Sequence, residues 1–281
     1  MNKLNQPTNE NQRMKLAFIG GGNMAYALIV GLKNRQVVMS NILVIERDAS
    51  KWGQLEQLGV QVSAELADVS NYDVIVLAIK PQQLPALAKT LAPILTTQLV
   101  ISIAAGIRLG DLSRWLDNYP TIIRAMPNTP AQIQEGVTGL YALPDVSEKH
   151  IALADQILKA AGSTLWLDSE EKLDAVTAIS GSGPAYVFYL IEALQTAALE
   201  LGLSDDEAKQ LSIATFKGAS LLADASTTPI DILRTQVTSK GGTTEQGLLS
   251  LENSQVKQAI TLAAQKAYQR AKTLGDELGQ D

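Results

Sequence analysis

Residues 16–25 read LAFIGGGNMA, and the order of residue types in that stretch decides the architecture. The apolar run Leu16 to Ile19 suits a buried strand. Three glycines follow, and from Met24 to Leu32 apolar residues recur at helical spacing. The stretch is thus a strand, the pattern GxGxxA, and a helix. In such a turn Gly20 allows the tight bend, Gly22 lets a pyrophosphate approach the backbone, and Ala25 lets the helix pack close on the strand. Asn23 and Met24 open the helix, whose unpaired amides and partial positive charge then face the phosphates. A glycine turn alone is a weak sign. Placed after the first strand of an alternating domain, it marks a dinucleotide site.

The alternation continues outward from this turn. Ile42 to Ile45, Val74 to Leu77, Leu99 to Ile103 and Thr121 to Ile123 read as further buried strands. Lys51 to Leu58 and Gln83 to Leu91 read as helices between them, while Val137 to Leu143 and Thr164 to Leu167 flank a helix over 147–161. This is the pattern of a parallel sheet with helices on both faces. After Asp168 strand-like runs stop. The expected fold is α/β, with a Rossmann-like doubly wound sheet over 14–168 and an all-α C-terminal dimerisation domain over 169–281. Within the latter, Ser204 with Glu207 reads as a capping box, and Thr228 before Pro229 as a helix cap. Residues 1–13 are polar and read as a flexible tail, neither signal peptide nor membrane anchor.

Composition removes several chemistries. A formal net charge of −6 leaves no basic excess for a phosphate backbone, so nucleic acid is not an expected partner. The absence of cysteine excludes disulfides, thiolate nucleophiles and zinc–cysteine clusters. The single histidine, His150, lies in the polar stretch SEKH without a second ligand type nearby, and it reads as a solvent-exposed structural residue. No apolar run reaches the roughly 20 residues of a spanning helix, so no membrane partner and a cytoplasmic location are expected.

Other candidate site residues sit at the ends of the strands. Glu46 falls at the end of the second strand, where a carboxylate accepts bonds from a ribose 2′-hydroxyl and favours NADH, the alternative being a charge that simply faces water at a strand end. Arg47 beside it suits the 2′-phosphate of NADPH, so the choice stays open. Ala78, Lys80 and Pro81 end one later strand, and Ala104 and Ala105 another; the small residues leave room for a flat cofactor. Lys80 also reads as a plain surface lysine. In RAMPNTP, Asn128 lies between prolines that make its loop rigid; the same loop also suits a domain connection. Finally, Ser239, Gly241, Gly242, Thr243 and Thr244 lead into a helix from about residue 245, a group of amides and hydroxyls suited to a small carboxylate. Simple capping by Thr243 or Thr244 is the alternative.

The helix starting at Pro184 carries apolar residues around most of its circumference, from Tyr186 and Phe188 to Ala198. A surface helix buries only a stripe. A second subunit is therefore expected to complete the helical domain, the alternative being the central helix of one self-contained bundle.

Taken together, the stretches FIGGGNMA, AIKPQ, RAMPNTP, AISGSGPAYVF and TSKGGTTEQGL resemble pyrroline-5-carboxylate reductase, over nearly the whole chain from Met14 onward. The resemblance implies NADH or NADPH as hydride donor and a cyclic imino acid as substrate, held between the nicotinamide and the GGTT loop. It implies Thr244 as the residue bonding the ring nitrogen. Ser239 and the amides of Gly241, Gly242 and Thr243 are implied to hold the carboxylate. It also implies a homodimer through the helical domain, further assembled into a larger ring. Two positions depart from the family: Lys240 stands where proline is common, and Glu46 where small or amide residues are common. The β-hydroxyacid dehydrogenases share the domain order but need a lysine on the helix after a GxG turn. Here no lysine follows Gly183 until Lys209.

Overall fold

The computed structural model describes residues Met14 to Gln280, and the expected tail over 1–13 lies outside the described residues. The elements run β1 (Leu16–Ile19), α1 (Asn23–Asn34), β2 (Ile42–Ile45), α2 (Trp52–Glu56), β3 (Gln61–Ser63), β4 (Val74–Leu77), α3 (Leu84–Leu91), β5 (Leu99–Ser102), α4 (Leu109–Trp115), β6 (Ile122–Met126), β7 (Gly136–Ala142), α5 (Glu148–Leu158), β8 (Gly162–Trp166) and α6 (Lys172–Val176). The helices α7 (Gly183–Glu200), α8 (Asp205–Asp224), α9 (Ile230–Gln236), α10 (Thr243–Asn253) and α11 (Val256–Leu278) complete the chain. Two compact units result. One runs to Ser182 and resumes at Ala267; the other is Gly183–Lys266. The stretch 169–182, expected with the helical domain, packs with the sheet.

The sheet has eight strands in the order β3-β2-β1-β4-β5-β6-β7-β8. Along the central strands residues alternate between two apolar cores. Leu16, Phe18, Val44, Val76 and Ile101 face one with Leu28 and Ile157, while Ala17, Ile19, Ile45, Ile75 and Val100 face the other with Leu87 and Leu112. Burial on both faces makes these strands read as continuous apolar runs. β1 to β6 are parallel to one another, as expected, but β7 is antiparallel to β6. The connection between them, 127–135, is too short for a crossover, and only a reversal can join the strands. α5 then supplies a crossover, so β8 is parallel to β7.

Several boundaries differ from expectation for local reasons. β3 is an added edge strand, with exposed Gln61 and half-buried Ser63, too short and polar to show a pattern. α4 is also added. The helix expected over 51–58 divides into a 3₁₀ turn, Ala49–Lys51, and the short α2, and Gly59 at φ 93° turns the chain away. In the second unit Ser204 and Glu207 form the expected capping box. Thr228 is not a cap: Pro229 takes that position, α9 starts at Ile230, and no side-chain bond closes the end. α7 has no buried residue in the single chain, with Phe188 65% and Tyr189 71% exposed. Among the described residues no helix is long and apolar enough to cross a membrane.

One glycine fastens α1 to the sheet unit. A Cβ on Gly31 would lie 2.0 Å from the carbonyl oxygen of Ala160. Alanine gains about 1 kcal/mol of helix propensity over glycine, but overpacking a rigid core costs typically about 1–3 kcal/mol, and backbone yields least. Gly31→Ala is therefore expected to lower the melting temperature by a few degrees, at about 2–4 °C per kcal/mol for a chain of this class. Thermal melts followed by circular dichroism test this; a raised midpoint would contradict the packing described.

Candidate active site

The glycine turn lies at the carboxyl end of β1, between β2 and β4, where the strand order reverses. Ligands of open α/β sheets bind at this position. Gly20 donates its N–H to the carbonyl of Ile45 at 2.8 Å and adopts φ 102°. A side chain there is excluded, because a Cβ would lie 2.5 Å from the oxygen of Ala78. Gly22 has a different environment. It is the N-cap of α1, with nothing within 4 Å of the Cβ it lacks and no side chain capping the first turn. The helix start thus presents backbone amides beside a clear approach, and Ala25, fully buried, lets α1 lie against the core. These residues fit a dinucleotide pyrophosphate.

Glu46 is drawn into this turn. Its carboxylate accepts from the N–H of Gly21 at 3.0 Å and of Asp48 at 2.9 Å, and pairs with Lys51 at 3.4 Å. Trp52 Nε1 donates to the Glu46 carbonyl at 2.9 Å and fixes the backbone. Partial burial pushes the carboxyl upward, but the Asp48 and Gly21 amides and Lys51 outweigh it and hold it below the ordinary carboxylate range. The clasp is therefore complete above that range and is lost as pH falls through the lowered value. Arg47 beside it is exposed.

The other expected cofactor residues follow the strand ends. Ala78 and Ala105 are half-buried, Ala104 is 4% exposed, and Pro81 opens a 3₁₀ turn whose preceding residue, Lys80, faces solvent. Asn128 is used within the fold. Its Nδ2 donates to the Ser180 carbonyl at 3.1 Å and its Oδ1 accepts from Val137 N–H at 2.9 Å, tying the MPNTP loop to β7 and to a π-helical turn, Thr177–Gly181. Sequence reasoning missed Glu170. It accepts from Arg124 at 2.9 Å and from Leu109 N–H at 2.7 Å, and Asp174 lies 3.6 Å from the same guanidinium. An arginine in the apolar run IIRAM signals a need for such partners without saying where they are.

In the second unit the GGTT loop leads directly into α10, which starts at Thr243 rather than near residue 245. Two of its amides are already spent. Gly241 N–H donates to Glu245 Oε2 at 2.7 Å, and Gly242 N–H to the Ser239 carbonyl at 3.0 Å. Ser239, Thr243 and Thr244 are exposed, and no side chain caps the helix, so capping by Thr243 or Thr244 does not occur.

His150 is half-buried, not solvent-exposed. Burial and nearby Lys149 push its pKa down, and its N–H is capped by Ser147. With Asp73 and Gln98 it lines a cavity of about 950 Å³ at the amino ends of the strands, the opposite edge from the glycine turn.

A glycine turn with uncapped amides at the strand-order switch, on a doubly wound sheet followed by helices, defines a dinucleotide-dependent oxidoreductase. The comparisons agree. Residues 15–106 match the family described as NADP oxidoreductase coenzyme F420-dependent, and residues 170–274 match pyrroline-5-carboxylate reductase dimerisation. A pyrroline-5-carboxylate reductase of Pseudomonas aeruginosa is 41% identical over 269 residues, covering 95% of this chain and 98% of that protein. The solved pyrroline-5-carboxylate reductase of Coxiella burnetii superposes with a TM-score of 0.89 at 39% identity, over 93% of this chain and 98% of that one. That of Plasmodium falciparum, solved with NADP bound, gives a TM-score of 0.83 at 29% identity, over 94% and 99%. The chain belongs to the pyrroline-5-carboxylate reductase family, as its motifs led us to expect. The dimerisation match accounts for the uncovered apolar surface of α7: the chain forms a homo-oligomer.

The fixed negative charge of Glu46 yields a direct expectation for cofactor choice. Glu46→Ser removes a carboxylate that would face a 2′-phosphate, so the ratio of NADPH to NADH affinity is expected to rise about tenfold, equivalent to roughly 1.4 kcal/mol. Fluorescence titration of both cofactors measures it, and an unaltered ratio removes Glu46 from the cofactor site.

Proposed function

We propose that the chain reduces 1-pyrroline-5-carboxylate to L-proline with NADH or NADPH, the final step of proline biosynthesis. The observation that carries this reading is the pairing, in one chain of this family, of an uncapped amide turn at the sheet's switch point with the Ser239–Thr244 loop. Gly20, Gly22, Asn23, Met24 and Ala25 hold the pyrophosphate, Glu46 and Arg47 flank the adenine ribose, and Ala78, Lys80, Pro81, Ala104 and Ala105 line the nicotinamide half. Asn128 supports this half through its loop. The chemistry such a cofactor supplies when bound is hydride transfer.

The chain's own residues need to bind and orient. A protonated cyclic imine already carries its positive charge, so no strong acid is required, which suits a chain with one histidine and no cysteine. The Thr244 hydroxyl accepts from the ring N–H and holds the proton on nitrogen. Ser239 and Thr243 take the substrate carboxylate, with Gly241 and Gly242 shaping the turn that presents them. The partner is thus a small imino acid. The helical domain forms the dimer, which assembles further into a ring, and the enzyme works in the cytoplasm.

Loss of one hydrogen bond to a charged group corresponds to roughly ten- to hundredfold in rate. Thr244→Ala is accordingly expected to lower kcat by that amount and leave the KM for NADH unaltered. Decay of nicotinamide absorbance with added pyrroline carboxylate reports both, and wild-type kinetics in this variant would reject the assignment.

A further inference from the structure

Ahead of α10 the chain bends through Ser239, Lys240, Gly241 and Gly242. The Ser239 carbonyl accepts from Gly242 N–H at 3.0 Å, Gly241 has φ 73°, and Lys240 is not among the positive-φ residues. These features define a type II turn, with glycine at the third position where it is required. The second position favours proline, whose ring fixes φ, but Lys240 occupies it here. The turn therefore has no covalent restraint at the residue that sets its direction.

A side chain supplies the restraint. Glu245 Oε2 accepts from Gly241 N–H at 2.7 Å, a short charge-assisted bond. Glu245 is the third residue of α10, from which a carboxylate reaches back to an amide ahead of the helix, much as in a capping box. Gly242, the N-cap, has no side chain to offer. Among the described residues Glu245 is the one side chain bonded to the backbone of this turn.

We propose that Glu245 is a positioning residue for the imino acid: by clamping Gly241 it freezes the turn and fixes the direction of the Thr243 and Thr244 amides and hydroxyls. This rests on the reading that the loop holds the substrate. It follows that Glu245 and a proline at position 240 are alternative restraints on one turn, so either suffices.

The test is steady-state kinetics on the intact oligomer, with separate KM values for pyrroline-5-carboxylate and NADH, in Glu245→Ala, Glu245→Gln and the double variant Lys240→Pro/Glu245→Ala. Glu245→Ala is expected to raise the imino acid KM about tenfold, as for loss of a charge-assisted bond, with the NADH KM unaltered. Glu245→Gln keeps an oxygen acceptor and is expected within about threefold of wild type. The double variant is expected to recover to about that level, because proline reduces the turn's freedom covalently. An unaltered imino acid KM in Glu245→Ala, a matched rise in both KM values, or no recovery with proline overturns the proposal. Thr244→Ala separates the two failures. If that variant is impaired while Glu245→Ala is normal, Glu245 alone is refuted; if both are normal, the substrate reading of the loop falls with it.

Discussion

The structure depends on the contact between Gly20 and the Ala78 carbonyl. Three parallel strands converge there: Gly20 N–H bonds the end of β2, and Ala78 N–H bonds the Ile19 carbonyl at 2.8 Å. With no room for a Cβ, the chain leaves β1 along a path open only to glycine and enters α1 with its first-turn amides unclaimed by any side chain. Close packing of turn on strand and exposure of the amides are thus one constraint. A helix end without protein partners is costly unless water or a ligand answers it. Here an anionic ligand fits.

At several other turns the chain answers its own amides with carboxylates. Glu46 takes Gly21 and Asp48, Glu207 takes Ser204, Glu245 takes Gly241, and Glu170 takes Leu109 while also holding Arg124. Each bond fixes a turn or a helix start. At Gly22 and Gly242, the N-caps of α1 and α10, no side chain closes the helix start, and the proposed ligand groups would meet the chain there. Glu46, held beside the turn by the Gly21 and Asp48 amides, is the residue we propose to discriminate a ribose hydroxyl from a phosphate.

The central strands were legible because both of their faces are buried, so they appear as unbroken apolar runs. β3 was not, being short, polar and at an edge, and the reversal at β7 was not, because composition carries no strand direction; only the shortness of 127–135 hints at it. The glycine turn could be read residue by residue, as each glycine answers a local steric demand. Asn128, Glu170 and Glu245 could not, since their roles depend on where a side chain ends: Ser180, Leu109 and Gly241 lie 52, 61 and 4 positions away. The amides of Gly241 and Gly242 looked available from sequence for the same reason. The apolar circumference of α7 was legible, and its exposure in one chain together with the dimerisation match explains why one chain cannot bury it.

The unclaimed amides at the start of α1 are the central claim, and Gly22→Asp tests them most directly. Aspartate is a favoured N-cap, and at Gly22 it meets no steric obstacle, so its carboxylate would occupy the amides we propose for the pyrophosphate. Calorimetric titration with NADH, alongside a thermal melt, should show a protein as stable as wild type or slightly more so that no longer binds the cofactor. NADH affinity equal to wild type in that folded variant would contradict the account.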